Sequence, residues 1–424
     1  MLLVLSIDGL SAGALGCYGN DWIGTPAMDS LAAEGQLWDF AISDTPSLEA
    51  LRSFWSGTSA ASRVNQTPES GSGSLAALIE GTGGQSLLLT DDQKILEFPE
   101  SAAFGEQVAM EMPGEPSPAS DAHQTHLASF FANAAEIIHT FAQESVDVAA
   151  LAWLHTSSLA NVWDAPLEYR NRYRDEDDPP PPELAAAPHN EFPASDAPDP
   201  DELLGLRRAY AGQVALLDGM LGTFIEFLRE SGIWDQTTFA LTAPRGFGLG
   251  QHGGIGYPNG VGSLHEEYLH IPFLLRHTPA QDDANLTAVH EHRLFQPADF
   301  LPSLAQRLNL PDLRESSGSG DGVDLSSAFQ QPFGEGRSLA FAVSPADLQS
   351  YAIRSAAWQL ICHQHQGETN KLLFAKPDDR WEMNNVADRC PEVVAMLESH
   401  AQAILSGDVQ ASQAELDELL AMPH

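Results

Sequence analysis

The stretch from Met1 to Gly57 restricts the fold more than any other. It opens on an apolar run, Leu2-Leu3-Val4-Leu5, that ends in Ser6-Ile7-Asp8-Gly9. A short apolar run closed by an acid and a glycine reads as a buried parallel strand whose carboxyl end carries a site. Ligands of open α/β sheets bind at that edge, so Asp8 is the first residue with a claim on function. The bland alternative is an aspartate that merely caps the turn. A turn segment follows, Leu15-Gly16-Cys17-Tyr18-Gly19-Asn20, then Thr25-Pro26 and a helical stretch closing on Ala32-Ala33-Glu34-Gly35.

The same α/β alternation continues along the chain. Short helices are expected at Leu75 to Ile79 and Leu301 to Leu308, and an amphipathic one at His126 to Gln143. Strands are expected at Ser86 to Thr90, ending on Asp91-Asp92, and at Val146 to Leu154, Thr238 to Thr242 and Ile271 to Leu275. Leu206 to Glu230 is the clearest helix, with Tyr210, Val214, Leu217, Leu221, Ile225 and Leu228 on one face. Ser62 to Gly73 and Ser316 to Gly320 read as loops, and Phe98 to Asp121 as irregular. Residues 174–201 form an acidic, proline-rich excursion expected to be exposed. From Ser338 the pattern changes to short strands and a helix at Pro391 to Leu405, a small antiparallel α+β subdomain. The division is therefore 1–335 and 336–424.

The formal net charge is -39, a field that repels nucleic acid and anionic membranes, so neither is an expected partner. Three cysteines, Cys17, Cys362 and Cys390, are too few for a disulfide framework or a zinc cluster. No stretch is expected to span a bilayer. The apolar start lacks a basic flank and runs straight into the first strand, so it is not read as a signal peptide, and a cytoplasmic location is the expectation.

The amino-terminal order of segments resembles the sulfatase family of the alkaline phosphatase superfamily. There a strand ends in two aspartates, and a leucine-glycine-cysteine-tyrosine-glycine turn, a threonine-proline turn and a helix ending in alanine-glutamate-glycine follow. Late segments match too. His265-Glu266-Glu267-Tyr268-Leu269-His270-Ile271-Pro272 is similar to the family's glutamate-to-proline turn. Lys371-Leu372-Leu373-Phe374 through Asn385-Val386-Ala387 is similar to its closing motif. The resemblance implies a central sheet flanked by helices with a small carboxy-terminal antiparallel subdomain. The implied activity is sulfate-ester hydrolysis by a formylglycine made from cysteine or serine, beside a calcium ion that needs 6 to 8 oxygen ligands.

Against that pattern the chain departs at most chemical positions. Asp8 matches the first metal aspartate, but Gly9 stands at the second. The nucleophile falls on Ser47 or on Leu48, depending on which flank sets the register. Neither choice gives a cysteine or the following proline, and only the second aligns Arg52 with the motif arginine. The family's late aspartate is Pro244 and its neighbour Arg245. His252 keeps the frame of the glycine-rich loop, and His155 keeps the first histidine after the second long strand, with Ala160 at the other. The upstream lysine is absent and His270 replaces an arginine.

The candidate catalytic residues are therefore Ser47, Arg52, His155 and His252, the candidate metal ligand Asp8, and the candidate anion binder Arg245. No cofactor is expected, calcium only if other ligands rebuild its site. Two readings result: a sulfatase-like protein without catalysis that binds a small anion or a protein partner, or a divergent sulfuric or phosphoric ester hydrolase with a rearranged site.

Overall fold

The structure, a computed structural model, describes residues 1–407 other than 65–72, 113, 115, 192–198, 261, 279–287, 306–307, 309, 311–319, 330–335, 348 and 366–367. The loop expected at Ser316 to Gly320 lies almost wholly outside these residues. In chain order the strands are β1 (Leu2–Ile7), β2 (Gln36–Ala41), β3 (Gln85–Thr90), β4 (Glu106–Ala109), β5 (Ala150–Thr156), β6 (Asn190–Glu191) and β7 (Thr238–Thr242). They continue as β8 (Gly254–Ile255), β9 (Phe273–Arg276), β10 (Val289–Phe295), β11 (Ala340–Val343), β12 (Tyr351–Arg354), β13 (Trp358–His365) and β14 (Glu368–Ala375).

Eight strands form the central sheet in the order β10-β2-β9-β7-β1-β5-β3-β4. β1 lies between β7 and β5, parallel to both, and all six of its residues are buried. That double cover explains its unbroken apolar run, because a central parallel strand has no wet face. Trp153 of β5 packs its ring 5.9 Å from Phe54, 5.7 Å from Trp55 and 5.9 Å from Phe300, tying β5 to the helix Ala50–Ser56. Helices His126–Glu144 and Pro200–Glu230 pack together, with Phe131 and Phe224 5.6 Å apart.

The small sheet runs β11-β12-β13-β14, all antiparallel. Its side chains separate with period two. Phe341, Val343, Tyr351, Ile353, Leu360, Cys362 and Leu373 face a cluster shared with the helix Pro391–Ser406. Ala340, Ala342, Ala352, Ile361 and Phe374 face Ile42, Leu264, Leu269 and Leu294 of the large domain. The small sheet is thus sandwiched, and the turn after β14 is carried against the large one.

Four expectations change, the first being that the stretch Phe98 to Asp121, read as irregular, carries the edge strand β4. The helix Pro200–Glu230 is, by length and composition alone, apolar enough to cross a membrane, contrary to the sequence reading. However, 61% of its most apolar window is buried, and Arg208, Gln213 and Asp218 are buried along it. The acidic excursion is not wholly exposed. Ala185 and Ala187 are buried, the Trp163 N–H donates to Ala185 O at 2.7 Å, and β6 pairs with β8. The loop expected at Ser62 to Gly73 starts inside a helical turn, Ala60–Val64, and its residues 65–72 lie outside the described ones.

Candidate functional site

The carboxyl end of β1 places Asp8 between two neighbours. Its N–H donates to Thr156 O at the end of β5 (2.9 Å), and the Gly9 N–H donates to Arg245 O just past β7 (3.2 Å). Parallel register thus brings residues 237 apart in sequence to one edge. There Arg245 donates from Nε to Asp8 Oδ1 at 2.8 Å and from Nη2 to Oδ2 at 3.0 Å. The pair is bidentate and buried: Asp8 is 1% exposed and Arg245 5%. Nη1 donates to Gly260 O at 2.9 Å, and the guanidinium carbon lies 3.4 Å from the Tyr257 ring centroid. Burial alone would lower the guanidinium's pKa; the Asp8 carboxylate overrides it and drives the pKa up, so Arg245 stays a cation.

Tyr257 is itself fixed. Its hydroxyl donates to Gly246 O at 2.7 Å, and its N–H donates to His189 Nδ1 at 2.9 Å. The His189 ring stacks on the tyrosine at 5.6 Å and 23°. His189 arrives from the acidic excursion, so that segment covers the cation. Burial, and then Arg245, push its pKa down, which keeps a second positive charge away.

These residues do not fit calcium. Both Asp8 oxygens are taken by a guanidinium, and Pro244 offers no side-chain oxygen. Gly9 has φ +90, where side chains are strained, and a Cβ there would stand 3.1 Å from the Ala160 nitrogen. An aspartate at this position would need a different backbone. The metal role expected for Asp8 is therefore replaced by an ion pair. The anion-binding role expected for Arg245 meets the same obstacle: its Nε–Nη2 edge is spent on Asp8 and Nη1 on Gly260.

The other candidates do not converge on one center. Ser47 sits in the turn before the helix Ala50–Ser56. Its Oγ lies 3.3 Å from Thr45 Oγ1 and accepts from the Glu49 N–H at 3.3 Å. No histidine or carboxylate is bonded to it among the described residues, so nothing there activates it as a nucleophile. Leu48 lies in the same turn, and the two registers stay equivalent. Arg52 points away, donating to Glu100 and Glu49 at 2.9 Å each. The cation that braces this turn is Arg63, which donates to Glu49 O at 2.8 Å and Ser53 Oγ at 2.7 Å. His252 lies against Glu267 and Glu382 instead.

His155 is fully buried in β5, its Nδ1 2.7 Å from Ser6 Oγ. Trp153 Nε1 donates to the same oxygen at 3.2 Å. Nε2 has no partner among the described residues. Burial lowers the ring's pKa and holds it neutral.

Asp91, at the end of β3, is a residue that the sequence reading named without using. It accepts from Thr156 Oγ1 at 2.6 Å and the Ser157 N–H at 2.7 Å, and faces His126 Nε2 at 2.8 Å. It shapes the same sheet edge. The signal was the acid pair closing a strand.

The family model for sulfatases matches residues 1–310. The chain belongs to the sulfatase family. No curated protein matches it in sequence. Among solved structures it is similar to BT4656, solved with its substrate D-glucosamine-2-N,6-O-disulfate (TM-score 0.73, 15% identity, 98% of this chain and 99% of that one). It is also similar to the phosphonate monoester hydrolase of Agrobacterium radiobacter (TM-score 0.69, 20% identity, 96% and 94%). A third is BT1596, a 2-O glycosaminoglycan sulfatase (TM-score 0.70, 14% identity, 98% and 93%). At these identities the likeness carries the alkaline-phosphatase-like fold alone.

Proposed function

We propose that this sulfatase-family chain is a non-catalytic member, in which a built-in cation has replaced the metal and binding or association has replaced turnover. The observation that carries the reading is the buried Asp8–Arg245 pair. A guanidinium in the seat of a divalent ion balances the strand-end carboxylate, but it holds no water or ester oxygen as a Lewis acid does. Gly9, which offers no side-chain ligand, and Ser47, with no histidine or carboxylate bonded to it among the described residues, point the same way. A small anion finds Arg245 already engaged, so a protein partner is the favoured ligand class. The net charge of -39 argues against nucleic acid.

The test is calorimetric titration of calcium into the wild type and Asp8→Asn, with turnover of aryl sulfates and phosphonate monoesters measured on both. No calcium heat and no turnover above buffer is the expected result. Saturable calcium binding that Asp8→Asn abolishes, together with turnover, would establish the ester-hydrolase alternative instead.

A further inference from the structure

A second cluster lies at the seam between the two sheets. His252 sits at the tip of the glycine-rich loop that follows β7. Its ring stacks on His265, with centroids 3.7 Å apart and planes 2° apart. Both of its ring nitrogens face acceptors. Nδ1 lies 3.1 Å from Glu267 Oε2, and Nε2 lies 3.3 Å from the Glu382 carbonyl oxygen. A neutral imidazole has one N–H and one lone pair, so it satisfies one of these contacts and repels in the other. Only the imidazolium donates in both.

The charges around the ring agree. Glu382 Oε1 accepts from Lys376 at 3.0 Å, and Oε2 accepts from the Glu266 N–H at 3.1 Å and faces His265 Nδ1 at 2.7 Å. Glu266 pairs with Arg354 and Lys376 at 2.8 Å each. Two fixed cations thus serve Glu266 and Glu382. Glu267 is the third acid, and the opposite charge beside it is His252. Its Oε1 is buried with no partner among the described residues, so this carboxylate depends on that one contact. The neighbouring titratable groups add no charge, since burial pushes His270 and His363 down and Tyr268 up. Burial alone would lower His252 as well, but Glu267 and then Glu382 raise it above the ordinary histidine value.

We propose that the proton on His252 is a pH-sensitive latch, which holds the loop after β7 against the turn after β14 and so steadies the cover over the sheet edge. The tip of that loop is bonded largely to itself: the Gly250 N–H donates to Gly254 O at 3.0 Å and the Gly256 N–H to Gly248 O at 2.9 Å. Gly250, Gly253 and Gly256 take positive φ, so the tip turns on residues with the widest backbone freedom. Gly254 and Ile255 form β8, which pairs with β6, and directly before β6 His189 stacks on Tyr257 over Arg245. Loss of the proton turns the Nε2 contact from a hydrogen bond into a repulsion between lone pairs, and the tip comes away. A base whose folded pKa is raised stabilises fully below its unfolded value, about 6.5, and loses that contribution as pH rises through the folded one. The latch is therefore closed in acid and opens toward alkaline pH.

The experiment is an NMR titration of the full chain with labelled histidine, the His252 signal being assigned by its loss in His252→Ala. Hydrogen exchange of residues 247–257 is followed over the same pH range and corrected for the intrinsic rise of exchange with pH. His252 is expected to titrate above about 6.5. Protection of the tip should then fall by about tenfold per pH unit past that midpoint, the slope of a single proton. Glu267→Gln keeps the ring and removes its carboxylate, so it should lower the midpoint and carry the loss of protection with it. His252→Ala should show low protection that is flat with pH. Should that variant fail to fold, the wild type and Glu267→Gln still decide. The proposal is overturned if His252 titrates at or below about 6.5, or if protection of the tip stays constant through its midpoint. It is equally overturned if protection in His252→Ala falls with pH as it does in the wild type, which places the switch elsewhere.

Discussion

A buried charge pair costs most when only half of it is removed. Arg245→Met would leave the Asp8 carboxylate in the interior, and Asp8→Asn would leave the guanidinium there. Each is expected to cost about 3–5 kcal/mol, read from urea midpoints. The double variant should recover much of that, because neither charge remains. Additive losses would mean that the pair does not hold this edge. Asp91 gives a pH counterpart. Burial alone would raise its pKa, but His126, Thr156 and Ser157 hold it below the usual carboxylate range. A depressed folded pKa stabilises above the unfolded value, about pH 4, and that stabilisation fades as pH falls through the folded pKa. The stability gap between wild type and Asp91→Asn should therefore be full at pH 6 and shrink below about pH 4. A gap that grows on acidification would show the sign to be wrong.

Among the elements, β1, β3, β5 and β7 were legible because buried parallel strands are written as apolar runs. β10 was not: Val289-His290-Glu291-His292-Arg293 looks like a surface segment. Its inward acid is Glu291, fully buried and answered by Arg293 at 2.6 Å, a pairing that no periodicity reveals. The departures from the family's pattern at Gly9, Pro244 and Arg245 were legible position by position. The pairing of Arg245 with Asp8 was not, since Arg245 reaches Asp8 only through the register of β7 beside β1. The acidic excursion shows the same limit. Its composition gave exposure, but three anchors fold it down: Arg208 donates to Pro179 O at 3.3 Å and to Asp178, and Arg170 to Pro182 O. Arg208→Ala should release the 174–191 cover at a cost of about 1–3 kcal/mol for the carbonyls left unpaired. Limited proteolysis should then cut that segment first and faster than in wild type. Unchanged cleavage would place the hold in β6 and β8 instead.

At the scale of the whole molecule, 59 acidic residues face 20 basic ones, so the folded chain carries strong self-repulsion. Many of the arginines are already committed to ion pairs, as at Asp8, Glu291 and Asp299, and do little to dilute the surface field. Screening shortens the reach of that field from about 30 Å at 0.01 M salt to about 3 Å at 1 M. Repulsion across the surface is lost first, while buried pairs are screened far less. The melting temperature is therefore expected to rise by a few °C between 0.01 and 0.5 M potassium chloride, at about 2–4 °C or less per kcal/mol in a chain this large. The Asp8–Arg245 coupling from the double-mutant cycle should hold constant over the same range. A melting temperature that falls with salt would mean that attraction between paired surface charges outweighs the excess of acid. A coupling that falls with it would mean that water reaches the pair.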